Sequence, residues 1–270
     1  MRIALTIAPQ FGNRTLPINY QYEISAWIYK MIHHGDAGFA EWLHNKGYTK
    51  GNKQFKLFSF SNLEVEQFKV FKDRFKIVSD KAKLYLTFHI DDAVQHFITG
   101  LFQNSSFSIG DRKSRVDFDV QSVEMLASPD FTDSMKFKAL SPVCVTRPVE
   151  MNGKLGAEYL APEHPEYERR FFENLVTRYQ TVYPEANGRY EERKDFKLKI
   201  TTKPKSRLIK VKADTPQETQ IRGYMYDFEC HAPAELLKFG YEAGFAEKNA
   251  LGFGYVEVVE NEEVQNGSIK

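Results

Sequence analysis

The residues of this chain best suited to hold a phosphate lie close to its C-terminal end, in Gly244-Phe245-Ala246-Glu247-Lys248-Asn249-Ala250-Leu251-Gly252-Phe253-Gly254. Glycine tolerates positive φ and lets a ligand approach the backbone closely, so Gly244, Gly252 and Gly254 can turn amides toward an anion while Lys248 adds a cation. The same glycines could serve merely to turn a helix into a strand. A dinucleotide-binding fingerprint is excluded, because there a strand precedes the glycines and a helix follows, the reverse of the order expected here. A second feature is the run from Arg193 to Lys212, where nine Lys and Arg stand against one acid, Asp195, for a local charge of +8. Around Lys197 and Lys199 these charges alternate with apolar residues, so a strand would carry them on one face of a sheet.

Metal chemistry has little to stand on. His33-His34 has no carboxylate or thiol set at ligand spacing, and Asp91-Asp92 reads as the start of a helix rather than as a cation site. No metal or other cofactor is expected. Cys144 and Cys230 are the only cysteines, too few for a disulfide framework and without metal-ligand spacing, which points to a reducing, cytoplasmic setting. The first nine residues contain no apolar run long enough for a signal peptide, and no stretch approaches the roughly 18 apolar residues of a membrane span.

The elements that must position these residues fall into two similar series. In the first, a strand over Arg2 to Ala8 leads to a helix capped by Asn19, with Tyr20, Ile24, Trp27, Ile28 and Met31 at helical spacing. Asp36 caps a short second helix, Ala37 to Asn45, that Gly47 stops. Extended segments follow at Phe55 to Phe60, Phe68 to Val78 and Lys83 to Ile90, then a helix opened by Asp91 or Asp92, then strands at Ser106 to Ile109 and Arg115 to Leu126. The second series has strands at Lys136 to Thr146, Phe196 to Thr201, Arg207 to Lys212, Gln220 to Cys230 and Tyr255 to Val259. Its helices run from Pro165 to Tyr179 and from Pro233 to Gly240. Both read β-α-β-β-α-β, so the fold class is α+β, a tandem of ferredoxin-like domains over 1–128 and 133–262 with a short tail over 263–270. At 270 residues, 42% hydrophobic, with 22 Phe and 14 Tyr, each half is large enough to bury a core. The net charge of +1 argues against a uniformly basic nucleic-acid binder, and places any phosphate-binding surface in the local runs.

With this order of elements, the glycine loop near the C-terminus resembles the signature of the repeat-processing CRISPR endoribonucleases, the Cas six family. Leu16-Pro17-Ile18-Asn19-Tyr20, the segment Leu43-His44-Asn45-Lys46-Gly47-Tyr48 followed by Phe55-Lys56-Leu57-Phe58, and Leu140-Ser141-Pro142-Val143 are similar as well, so the resemblance spans nearly the whole chain. The first glycine pair of the family loop is usually Gly-x-Gly, where this chain has Gly244-Phe245-Ala246.

The resemblance implies metal-independent cleavage of CRISPR repeat RNA in precursor transcripts to generate guide RNAs. The RNA's own 2′-hydroxyl would attack, leaving a 2′,3′-cyclic phosphate and a 5′-hydroxyl. Such chemistry needs a base, an acid and positive charge on the phosphorane. The family pattern carries these roles onto Tyr29, His44 and Lys50; the RNA would then lie across the cleft between the domains, held by the glycine loop at Gly244, Lys248, Gly252 and Gly254 and by the basic strands at Lys197 and Lys199. His44 would sit at a helix C-terminus, which favours imidazolium, beside Lys46, Lys50 and Lys53, which oppose it. The implied partners are repeat RNA, then other subunits of a CRISPR effector complex and a second copy of the chain. Two other readings fit the same residues: a noncatalytic guide-RNA-binding subunit, and a small-molecule enzyme on a ferredoxin-like scaffold.

Overall fold

The computed structural model describes residues 1–151, 153–190, 195–213 and 215–259. Two antiparallel sheets organise it. In the first half, β1 (Arg2–Pro9), β2 (Phe58–Phe60), β3 (Ala82–Phe88) and β4 (Arg115–Met125) lie in the order β4-β1-β3-β2, with α1 (Gln21–Gly35) and α3 (Asp91–Gln103) on one face and the short α2 (Ala37–Asn45) beside α1. In the second half, β5 (Ser134–Ala139), β6 (Lys197–Ile200), β7 (Asp227–His231) and β8 (Val256–Val258) lie in the order β8-β5-β7-β6, served by α4 (Tyr167–Val182) and α5 (Ala234–Ala243). Numbered within each half, both sheets run 4-1-3-2, so the chain is a tandem of ferredoxin-like domains.

Each half buries its own core. Ile3, Leu5 and Ile7 of β1 meet Ile24, Ile28 and Phe97 of the helices, and Phe137 and Phe228 meet Phe171, Leu175 and Phe239. Every such fully buried side chain contributes roughly 1.5–3 kcal/mol.

Arg2 joins the halves. The side chain is 3% exposed, and its guanidinium lies 3.6 Å from the Tyr241 ring centroid and 4.1 Å from that of Tyr255. It donates to the carbonyls of Val256 at 2.6 Å and Tyr241 at 3.4 Å. Nearby, His89 Nδ1 lies 2.9 Å from Glu242 Oε2 and its Nε2 3.0 Å from Tyr183 Oη.

The structure corrects several local expectations. The strand expected over Lys136 to Thr146 is two. β5 ends at Ala139, and the chain leaves the sheet through Ser141 and Pro142, where proline has no N–H for a ladder, before re-forming a hairpin of Thr146–Met151 with Lys154–Tyr159. Gln220 to Cys230 likewise divides at Tyr226: Thr219–Met225 pairs with Lys205–Val211 in a separate two-stranded ribbon, and Asp227–His231 enters the central sheet. The basic run is thereby split between sheet and ribbon instead of sharing one face. Arg193, Lys194 and the tail over 263–270 lie outside the described residues. Phe68 to Val78 folds as a hairpin, Phe68–Phe71 with Arg74–Ile77. Tyr20, not Asn19, precedes α1, and Asp91 and Asp92 lie within the first turn of α3 without a side-chain cap. Carboxylates there still favour the positive helix end. Among the described residues, no helix is long and apolar enough to cross a membrane.

Candidate active site

The Asp36 carboxylate accepts the Phe39 amide at 2.7 Å and starts α2, whose last turn carries His44. Beyond it the amides of Lys46 and Gly47 both donate to Trp42 O at 2.8 Å, with Gly47 at φ +61°. A Cβ on Gly47 would stand 2.6 Å from Phe55 O, so only glycine lets the following hairpin, Tyr48–Lys50 with Lys53–Phe55, fold back over the helix end. Lys56 then donates to His44 O at 2.7 Å, satisfying a terminal carbonyl, and partial burial lowers the pKa of its ammonium.

Tyr22, Ser25 and Tyr29 lie at positions i, i+3 and i+7 of α1 and share one face, set apart from the core face of Ile24, Ile28 and Met31. That face, the end of α2 and the glycine loop enclose a cleft between the halves of about 470 Å³. Tyr29, His44, Lys53, Lys56 and Lys248 line it. His44 is exposed, and its Nδ1 lies 3.1 Å from Asn45 Oδ1, an acceptor; a neutral ring donating there leaves Nε2 free to take a proton. The Tyr29 ring stands edge-on to the imidazole, and burial pushes its phenol well above the usual tyrosine range. The cleft therefore offers an exposed imidazole, a neutral phenol and three ammonium groups.

The glycine loop forms the opposite wall, and its backbone takes positive φ at Gly244, Ala246, Lys248, Gly252 and Gly254. Ala246, at φ +56°, adopts the conformation that glycine holds without penalty, at a cost of about 1–2 kcal/mol. The glycines are needed for close approach: a Cβ on Gly252 would come within 2.6 Å of the Phe60 ring and one on Gly254 within 1.9 Å of Phe245 O. Asn249 Nδ2 ties the loop by donating to Phe245 O at 2.9 Å and Phe253 O at 3.1 Å, and Ser59 Oγ docks it to β2 by donating to Phe253 O at 2.8 Å. The amides of Gly252 and Gly254 donate within the protein, to Asn249 O and Pro142 O, so these glycines shape the wall and leave Lys248 as its cation.

Of the residues singled out by sequence, Tyr29, His44 and Lys248 meet at the cleft. Lys50 does not: its ammonium donates to Gln180 Oε1 at 3.0 Å and Asn187 Oδ1 at 3.1 Å, while Lys53 and Lys56 line the cleft instead. Lys197 and Lys199 are exposed on the edge strand β6, with Lys199 3.7 Å from Glu229, and neither lines the cleft. Sequence reasoning missed Arg178, Asn249 and Tyr22. For Arg178 a signal existed, since position 178 continues the buried stripe of Tyr167, Phe171 and Leu175, where a charge is out of place.

Comparison with known proteins agrees with this architecture. The family model for the N-terminal part of CRISPR-associated protein Cas6 matches residues 15–124, and that for the Cas6 C-terminal part matches residues 126–258. A relative from Methanocaldococcus jannaschii, named CRISPR-associated endoribonuclease Cas6 1, is 29% identical over 271 residues, covering 100% of this chain and 97% of its own. A solved structure of a Cas6-related gene product from Pyrococcus furiosus superposes with a TM-score of 0.82 at 27% identity, covering 97% of this chain and 99% of that one. Another, described as an RAMP protein binding different RNA substrates, gives 0.81 at 27% identity over 96% of this chain and 100% of its own. With matching models across both halves and the same architecture end to end, the chain belongs to the Cas6 family of CRISPR-associated proteins.

Proposed function

We propose that this chain is an endoribonuclease that cuts CRISPR repeat RNA in precursor transcripts to release guide RNAs. The observation that carries the reading is the meeting of Tyr29 and His44 on one wall of a lysine-lined cleft whose other wall is the glycine loop. Cleavage proceeds by in-line attack of the 2′-hydroxyl on the adjacent phosphate, giving a 2′,3′-cyclic phosphate and a 5′-hydroxyl. The 2′-hydroxyl loses a proton as its oxygen bonds phosphorus, and the 5′-oxygen gains one as its bond to phosphorus breaks. His44 serves one of these transfers and solvent the other, the neutral Tyr29 phenol donates to a phosphate oxygen, and ammonium groups of Lys53, Lys56 and Lys248 offset the charge of the phosphorane. Lys50 joins them only by giving up Gln180 and Asn187. Lys197 and Lys199 hold RNA that extends past the cleft along β6.

The names of the Methanocaldococcus relative and of the RNA-binding neighbour support RNA as substrate. The test is incubation of the purified chain with transcript of the repeat in excess EDTA. Cutting should persist with metal removed, and a single deoxynucleotide 5′ of the scissile phosphate should abolish it. Loss of cutting in EDTA with RNA binding intact would replace this mechanism with a metal-dependent one, and binding without cutting under all conditions would make the chain a guide-RNA-holding subunit.

A further inference from the structure

Arg178 is a charge where the fold has least room for one. It lies on the buried side of α4, 2% exposed, with its guanidinium 5.4 Å from the Phe239 ring centroid. No carboxylate among the described residues comes within 4 Å to pair with it; Glu247, the acid whose field reaches it, is held by the amide and hydroxyl of Thr146 at 2.9 and 3.0 Å. An unpaired buried cation is retained only where its donors gain something no neutral side chain supplies.

What they gain is the backbone of the glycine loop. Nη2 donates to Ala243 O at 2.8 Å, the last residue of α5, and Nη1 to Gly244 O at 2.8 Å and Ala246 O at 2.9 Å. Positive φ at Gly244 and Ala246 brings both carbonyls toward α4 at the edge of the cleft, and one planar guanidinium, itself 2% exposed, reaches all three. Two residues after Ala246, Lys248 emerges at the cleft, itself left-handed at φ +63°.

We propose that Arg178 is the positioning residue of the cleft: it fixes the path of residues 243–246, allows alanine to hold a left-handed turn at 246, and thereby sets where Lys248 meets the phosphate. The inference rests on the cleft being the RNA site and adds a residue, at the cleft's lining but 2% exposed, whose guanidinium acts on the reaction through the loop backbone. Desolvation pulls the Arg178 pKa down to about 9, so the guanidinium remains charged at neutral pH.

The test is a set of single-turnover cleavage rates and RNA affinities on the full chain. Arg178→Lys keeps the charge but cannot bridge three carbonyls, and should slow cleavage about tenfold or more at saturating protein. Ala246→Gly, by relieving the strained turn, should recover a large part of that loss. Lys248→Ala should cost much less in the Arg178→Lys background than in the parent, because misplacement has already removed its contribution. Additive losses with no rescue by Ala246→Gly would reduce Arg178 to a general stabiliser and overturn the proposal.

Should Arg178→Lys fail to fold, Ala246→Val attacks the same turn from the other side, since a β-branched residue resists positive φ. It should reproduce the slow cleavage, and parent-like cutting by a folded Ala246→Val protein would also overturn the proposal. If the unchanged chain binds repeat RNA without cutting it, the nuclease reading fails independently. Arg178 is then judged by hydrogen exchange at the Phe245 and Glu247 amides, which donate to Gly254 O and Cys144 O: exchange should accelerate in Arg178→Lys and be restored by Ala246→Gly, and unchanged exchange would count against it.

Discussion

The ring of Tyr29 stands edge-on to the imidazole of His44, with centroids 5.1 Å apart and planes at 82°, and the same tyrosine packs edge-on against Phe58 at 5.4 Å. One side of the phenol is thus fixed by the core and the other by the candidate proton-transfer group. A phenol that burial keeps neutral can donate a hydrogen bond but gives up its proton reluctantly, so in the proposed mechanism the base or acid step falls to the exposed imidazole.

His44→Ala should separate chemistry from binding. The side chain is exposed, so its loss leaves no core cavity, and a general acid–base group typically contributes about 10²–10⁴ in rate. Single-turnover cleavage should fall by about that factor with repeat affinity little changed. Tyr29→Phe retains both ring contacts and should lower the rate with normal folding. Lys50→Ala should lower it less than Lys53→Ala or Lys56→Ala, because only the latter two line the cleft. A folded His44→Ala chain cutting at the parent rate would remove this site from the mechanism.

Periodicity made α1, α2 and both series of elements legible, because the apolar spacing of Ile24, Ile28 and Met31 and the Asp36 cap act through local contacts. Where the chain changes sheets, at Ser141-Pro142 and Tyr226, apolar residues continue on both sides of the break. The pattern therefore shows one strand where the fold has two. The position of Lys50 is illegible for a different reason: its partners Gln180 and Asn187 lie 130 and 137 residues away, and no local pattern encodes them. Arg178 was missed although its place on the buried stripe of α4 marks it as a misplaced charge, and its purpose emerges only when α5 and the loop are folded against α4.

Tyr20 and Tyr255 should each contribute a loss of stability as pH rises above about 10. Burial pushes the Tyr20 and Tyr255 phenols up to about 12, whereas an unfolded tyrosine titrates near its ordinary value of 10.0. Below pH 10 both states keep the proton and the contribution is whole. Between about pH 10 and 12 the unfolded chain loses protons that the native chain keeps, so stability falls by up to about 1.4 kcal/mol per pH unit for each tyrosine. Urea midpoints measured from pH 8 to 11.5 test this, and Tyr20→Phe should make the alkaline slope shallower.

Salt dependence reports where the RNA runs. Removing a lysine that neutralises a phosphate should flatten the log–log slope of affinity against salt by about one unit. Lys248→Ala should do so. Lys197→Ala should as well if RNA follows β6, with Lys199→Ala giving less because Glu229 already lies 3.7 Å from it. Slopes unchanged in both β6 variants would confine the RNA to the cleft.

The junction of the halves offers the sharpest test of the fold itself. Arg2 is buried between the rings of Tyr241 and Tyr255 and donates to Val256 O, so one side chain at the start of β1 ties the first sheet to α5 and β8. Charge-assisted hydrogen bonds contribute about 1.5–3 kcal/mol, and a desolvated cation–π contact about 2 kcal/mol. Arg2→Ala removes both and leaves the Val256 carbonyl without its donor, so a loss of about 3 kcal/mol or more is expected. For a chain of this size that lowers the melting temperature by roughly 6–10 °C. Arg2→Lys, which keeps the charge but not the plane that stacks on the rings, should fall between. Because Tyr29 and His44 sit on the first half and Lys248 on the second, loosening this junction should also slow cleavage while leaving each half folded, visible as two unfolding transitions in place of one. A melting temperature within about 2 °C of the parent, with one transition and full cleavage, would show that the halves are held together elsewhere, with the His89–Glu242 pair the next candidate.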